Sequence, residues 1–402
     1  MTFLLRLFLF QLLGLLVLGA APASVADFAR KAENREPLSV VFFGGSLTFG
    51  ANASDPNTTS YRGRMMQWLR EKYPNTPITF HDAAIGGTGS QLGMFRLDRD
   101  VLTHKPDLVF LDFTVNDGAE DTDVEALASY ERIVRGIMAT DSAVMPVLML
   151  FKWHAEKPDD ALPPRHAEHL KLANHYGLPA ADVLSGIRNK VKAGVKPNDL
   201  WNMGDGAHPG DEGYQLFFEV VRDRFEKAIT ETIRPAIPPQ TIFEDLYPKR
   251  TRSLLTEVLP DGWTREKTRR TSLWFDGLAS RWMGDVATAS ASGGASVLKT
   301  TFHGSMVGIF GERDGLTPPI RVWIDGQPVP APKGAKGSAD DLWKLDTSRF
   351  APPKKGSGNL FLWQSLAKGL PDGEHSLWIE PVFDGDSKDA QLRIESVCSA
   401  GQ

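Results

Sequence analysis

Val40-Val41-Phe42-Phe43-Gly44-Gly45-Ser46-Leu47-Thr48-Phe49-Gly50 is the stretch whose reading decides the fold. Four β-branched or aromatic residues run without a polar break into a glycine pair and a serine. A strand with one wet face alternates polar and apolar residues. An unbroken apolar run is instead the pattern of a strand covered on both faces, as in a parallel sheet. Open α/β sheets carry their sites beyond the carboxyl ends of the strands, which is where Ser46 is delivered. Taken alone, the stretch is equally an ordinary Gly/Ser turn, so the rest of the chain has to decide.

Downstream, Ser60 caps a predicted helix running to Lys72, with Met65, Trp68 and Leu69 on one apolar face. A second strand over 78–83 ends at Gly86-Gly87-Thr88-Gly89, and a third over 108–113 ends at Thr114-Val115-Asn116-Asp117-Gly118. A helix over 124–138 leads to a fourth strand over 144–151, and a long helix over 214–229 follows Asp205-Gly206-Ala207-His208-Pro209. Strands alternating with helices predict a doubly wound parallel sheet of the α/β class. Pro235, Pro238 and Pro239 break the pattern. Beyond about residue 250 come short alternating runs (297–302, 306–310, 320–324, 376–379, 391–397), with hairpin-type turns at Asp325-Gly326 and Asp372-Gly373. These predict an all-β sandwich.

Upstream, Arg6 precedes an uncharged apolar run over 7–20, and Ala21-Pro22-Ala23 offers a small-x-small cleavage site. That is the pattern of a secretory signal peptide, and it predicts a periplasmic or secreted protein. The expected organisation is a signal peptide over 1–23, an α/β domain over 24–235, a linker over 236–255 and a sandwich over 256–402. No other stretch is long and apolar enough to span a bilayer, so no membrane partner is expected after cleavage.

With 45 basic and 50 acidic side chains the formal charge is −5, which argues against a nucleic-acid partner. The single cysteine, Cys398, excludes an internal disulfide framework and a cysteine-rich metal centre. Oligomeric state is not written in the sequence.

Three strand-end loops and the Asp205–His208 loop supply one set of chemical parts. Acyl transfer needs a nucleophile, a base, a group to orient the base and donors for the oxyanion. Ser46 offers the hydroxyl, His208 the imidazole and Asp205 the orienting carboxylate. The backbone N–H groups of Ser46 and Gly87, with the side-chain amide of Asn116, offer an oxyanion hole. Such chemistry requires no cofactor and no metal. Trp153 and Trp201 lie close in sequence to these loops, where they either wall a substrate pocket or pack in the core.

The blocks resemble those of the SGNH (GDSL-like) hydrolase superfamily, which implies a flavodoxin-like sheet and serine ester hydrolysis. Gly44-Gly45-Ser46-Leu47-Thr48 resembles its first block, with Gly45 in place of the aspartate of the GDS form. Ala84-Ile85-Gly86-Gly87 resembles the second. Val115-Asn116-Asp117 resembles the G-x-N-D block, with Thr114 where glycine is usual, so the pocket beside Asn116 is expected to have its own substrate-binding shape. Asp205-Gly206-Ala207-His208-Pro209 matches the D-x-x-H-P block. The resemblance covers about 38–229. Any one block is a common short pattern; four in order at strand ends are specific. An added β-sandwich makes the whole similar to bacterial carbohydrate acetylesterases.

Other chemistries fit less well. Gly44 to Gly50 is not G-x-G-x-x-G, and a polar loop follows it, against nucleotide binding. Nor is it the G-x-S-x-G elbow, since Thr48 replaces the second glycine. His166 and His169, with His154 and His175 nearby, read as a solvated helix face rather than a metal site. Seven of the ten tryptophans (Trp263, Trp274, Trp282, Trp323, Trp343, Trp363, Trp378) fall in the β-rich part, as sugar platforms or as core. The sequence thus points to an exported esterase acting on acetyl groups of a polysaccharide. The rivals are a lipid or aryl ester hydrolase, a polysaccharide O-acetyltransferase and a catalytically silent glycan-binding protein.

Overall fold

A computed structural model gives the fold and describes residues 22–120, 123–202, 204–232, 234–269, 283–293, 297–331, 341–345, 361–383 and 388–402. The expected signal sequence up to Ala21, and Trp274 and Trp282, lie outside the described residues.

Helix α1 (Val25–Glu33) leads into β1 (Leu38–Gly44) and the one-turn α2 (Ser46–Phe49). Then come α3 (Tyr61–Lys72), β2 (Ile78–Ala84), α4 (Ser90–Asp100), β3 (Leu108–Asp112), α5 (Val124–Met138) and β4 (Ala143–Leu148). Helices α6 (Lys152–Ala155) and α7 (Pro164–His175), strand β5 (Ala181–Asp182) and helices α8 (Val183–Lys192), α9 (Pro197–Leu200) and α10 (Asp211–Thr230) complete this part. Ser60 does cap α3, its hydroxyl accepting from Gly63 N–H at 3.0 Å. The five strands lie in the order β2-β1-β3-β4-β5, all parallel, which is the flavodoxin-like order.

The apolar run of β1 is split between two cores, as the alternation of a strand requires. Val40 and Phe42 pack with Phe28, Leu69, Phe217 and Phe225 on one face. Val41 and Phe43 pack with Leu97, Ile133, Ile137 and Leu172 on the other. Gly44 is registered against both Ala84 and Asp112, so β1, β2 and β3 finish level and open their loops toward one another.

The remaining strands are β6 (Lys249–Leu254), β7 (Thr264–Glu266), β8 (Val286–Ser290), β9 (Leu298–His303), β10 (Met306–Glu312), β11 (Ile320–Ile324), β12 (Gln327–Pro328), β13 (Phe361–Lys368), β14 (Glu374–Pro381) and β15 (Gln391–Gly401). They form two antiparallel sheets, β13-β10-β15-β8-β7 with β6 also on β15, and β12-β11-β14-β9. A core of Trp263, Val307, Ile309, Val322, Trp343, Leu377 and Ile394 lies between them. The C-terminal part is therefore an all-β sandwich.

Two expectations need correction. The segment 249–254, assigned to the linker, is a strand, because its backbone completes the edge of β15 from Ser396 to Gly401. Two of the three histidines of α7 do not face solvent; His175, at its end, does. His166 and His169 are buried, the first bonded to Asp182 at 2.9 Å and the second stacked on Tyr130 with centroids 3.8 Å apart. Their faces of α7 lie against α5 and the sheet, which sequence spacing alone did not reveal.

Candidate active site

Strand β1 ends at Gly44, Gly45 is the extended residue that starts α2, and Ser46 is its first helical residue. Gly50 closes the turn in the left-handed region at φ +98°. The Ser46 hydroxyl lies 2.8 Å from His208 Nε2. His208 Nδ1 is 2.7 Å from Asp205 Oδ2, while Asp205 Oδ1 accepts the backbone N–H groups of Ala207 (2.6 Å) and His208 (2.8 Å). Burial works to raise the Asp205 pKa, but the His208 ring and the two backbone donors outweigh it and hold the carboxyl at about 2.

Gly87 sits in the loop after β2 at φ +74°, a conformation natural to glycine, and its N–H has no acceptor among the described residues. Asn116, in the loop after β3, lies directly across Gly45. A Cβ on Gly45 would fall 1.9 Å from Asn116 Oδ1, so the aspartate of the GDS form has no room here. The next residue, Asp117, is buried and accepts the Ser90 N–H at 2.6 Å, tying the Asn116 loop to the start of α4 just past Gly87. Burial raises the Asp117 carboxyl to about 7 despite that bond. Under Ser46, buried Asp112 accepts from Thr48 Oγ1 (3.2 Å) and Thr114 N–H (3.1 Å), and burial again raises it to about 7.

The three residues expected to line the substrate pocket are placed differently. Trp153 is 46% exposed, and its ring would meet a Cβ on Gly206 at 3.5 Å, so it stands beside the Asp205–His208 loop. Trp201 is buried, edge-on to Phe217 in the core under α10. Thr114 is also buried, its hydroxyl 3.3 Å from His169 Nδ1, because the chain turns inward there to reach Asp112. Sequence reading overlooked Asn52, whose amide reaches Asp205. The one available signal was an asparagine shortly after Gly50, since asparagine tolerates the left-handed conformation that Asn52 adopts at φ +67°.

With fold and geometry in place, the chain can be compared with known proteins. Residues 42–216 match the GDSL-like Lipase/Acylhydrolase family. Among solved structures, the chain is similar to a two-domain esterase (CEX) active on acetylated mannans. In its mannopentaose co-crystal the identity is 22%, the TM-score 0.74, and coverage 95% of this chain and 96% of that one. A second crystal structure of an esterase so described gives 23%, 0.73, 93% and 94%. At that identity the likeness shows a shared two-domain fold. No curated protein matches the chain.

Proposed function

We propose that the protein is an exported serine esterase that removes small acyl groups, acetyl above all, from a polysaccharide. The observation that carries this reading is the unbroken relay from Ser46 Oγ to His208 Nε2 (2.8 Å) and from His208 Nδ1 to Asp205 Oδ2 (2.7 Å). Asp205 is acceptor-only when ionised, so the His208 proton sits on Nδ1 and the Nε2 lone pair faces the serine hydroxyl.

In the proposed reaction Ser46 Oγ attacks the ester carbonyl as its proton passes to His208 Nε2. The oxyanion is received by the N–H groups of Ser46 and Gly87 and by the Asn116 amide. One such donor is typically worth about 3–4 kcal/mol in the transition state. His208 then protonates the departing sugar oxygen, leaving the acyl group on Ser46. Water, deprotonated by His208, attacks that acyl group and releases the carboxylic acid and free serine. Asp205 stays anionic throughout and stabilises the imidazolium between steps. No cofactor enters.

A polysaccharide substrate is supported by the two-domain fold shared with an esterase active on acetylated mannans, and by the exposed Trp153 ring beside the His208 loop. Export rests on the sequence pattern over 1–23. Among the described residues no helix is long and apolar enough to cross a membrane.

The test is twofold. A fluorophosphonate should label Ser46, and acetate release from acetylated mannan or xylan should disappear in Ser46→Ala with the Tm unchanged. Residual turnover above about a hundredth of wild type would remove Ser46 from the role, since losing a nucleophile generally costs far more.

A further inference from the structure

Next to the relay lies a cavity of about 550 Å³, lined among others by Trp153, Glu120, His154, Lys157, Asp160 and Arg188. Its size falls in the range of about 300–1,000 Å³ usual for small-molecule sites. It adjoins the His208 loop. Lys152 N–H donates to Gly206 O at 2.8 Å, and the Trp153 ring lies against Gly206, between Asp205 and His208 in the chain.

Two features of its wall are held in place for contact. Trp153 is half exposed, yet braced by Phe151 (centroids 4.4 Å) and by His154 edge-on (5.5 Å). Glu120, at the rim, is fixed from beneath. The nearly buried His154 accepts the Phe151 N–H on Nδ1 at 3.2 Å, so its ring proton sits on Nε2 and is donated to Glu120 Oε1 at 2.9 Å. Burial, only partly opposed by Glu120, lowers the His154 pKa and keeps the ring a neutral donor. Glu120 Oε2 has no partner among the described residues.

We propose that this cavity is a glycan subsite, holding a neutral pyranose next to the esterified unit, with Trp153 under its apolar face and Glu120 accepting its hydroxyls. The inference rests on the esterase reading of the relay and names where the polysaccharide lies. An aromatic face beside a fixed hydroxyl acceptor matches a sugar, which presents C–H groups on its faces and O–H groups on its edge. Among the described lining residues the charges balance: Glu120 and Asp160 against Lys157 and Arg188. Arg188 is moreover spent on the backbone oxygens of His154 and Asp160, each at 2.9 Å. A phosphate or a uronate would find no net positive field, and an acyl chain would have to desolvate Glu120.

The experiment compares kcat and KM for O-acetylated mannopentaose and for p-nitrophenyl acetate in wild type, Trp153→Ala and Glu120→Gln. Each substitution should lower the oligosaccharide-to-aryl ratio of kcat/KM tenfold or more, with the loss in KM. An unchanged ratio with active wild type overturns the subsite and leaves the esterase reading standing. An equal fall on both substrates also overturns it, placing Trp153 or Glu120 in support of His208 instead. Wild type that cleaves the aryl ester but neither binds nor cleaves the oligosaccharide would overturn the polysaccharide reading and the subsite together.

Discussion

The side-chain nitrogen of Asn52 donates to Asp205 Oδ2 and to the backbone oxygen of His208, each at 3.2 Å. Both neighbours are acceptors, so the orientation of the amide is determined by its partners. Asn52 thereby braces Asp205 and His208 from one point. Asn52→Gly keeps the left-handed backbone and deletes only the amide. We expect it to lower kcat on p-nitrophenyl acetate about tenfold, the weight of one hydrogen bond to a charged group, with little change in KM. Asn52→Asp should lose more, because a second carboxylate would face Asp205. A glycine variant within twofold of wild type would show that the brace is dispensable.

The departure at Gly45 has a steric basis. Where the GDS form carries aspartate, the Asn116 amide occupies the space of any Cβ, at 1.9 Å. Gly45→Ala should push Asn116 out of line with the oxyanion and reduce kcat at least tenfold, with a smaller effect on KM. Gly45→Asp, which restores the commoner block, should be worse still. Steady-state kinetics on an aryl acetate decide it, and an alanine variant of normal kcat would mean that Asn116 moves without consequence.

Sequence patterns revealed the parallel sheet because β1 is apolar on both faces, and they singled out Ser46, Asp205 and His208 as candidates because these sit in loops with strong glycine and proline punctuation. The structure places His208 within hydrogen-bond distance of the other two. They failed where burial depends on partners far along the chain. Trp201 and Thr114 look like pocket residues by position, yet each turns into a core assembled from distant elements. His166 and His169 look solvated on a polar helix, yet Asp182 and Tyr130 receive them. The strand at 249–254 is mostly charged and polar (Lys249, Arg250, Arg252), so nothing local marked it as one.

Asp112 and Asp117 give stability an unusual pH dependence. Burial raises both carboxyls to about 7, against about 3.9 in an unfolded chain. Between those values the folded state keeps protons that the unfolded state has lost. Their contribution to stability is therefore full below about pH 4 and declines as pH rises toward 7. Asp112→Asn keeps the shape and can still accept the Thr114 N–H, but carries no charge at any pH. It should raise the Tm by a few degrees at pH 8 and leave it unchanged at pH 4. Equal effects at both pH values would show that Asp112 does not titrate in this window.

The proline-rich break at 235–239 suggests a sandwich that can be cut away, and the interface argues against that. Tyr247, Met306, Phe310, Cys398 and Ala400 share one apolar cluster with Phe95, Leu97, Ile133 and Ile137. Phe95 meets Tyr247 and Trp363 with centroids 5.9 and 5.3 Å apart. The connecting segment is pinned as well, since the Glu131 carboxylate accepts the N–H groups of Ile242 and Phe243, both at 2.8 Å. Large exposed apolar patches drive association, so a chain ending at Pro239 should aggregate although it retains every residue of the relay. In the full chain, Phe95→Ala should destabilise by about 3–5 kcal/mol, the usual range for a buried phenylalanine. Calorimetry should then show both parts unfolding in one transition, at a lower temperature than in wild type. Two separate transitions in wild type, or a soluble truncated enzyme of normal Tm, would show that the sandwich is an independent unit.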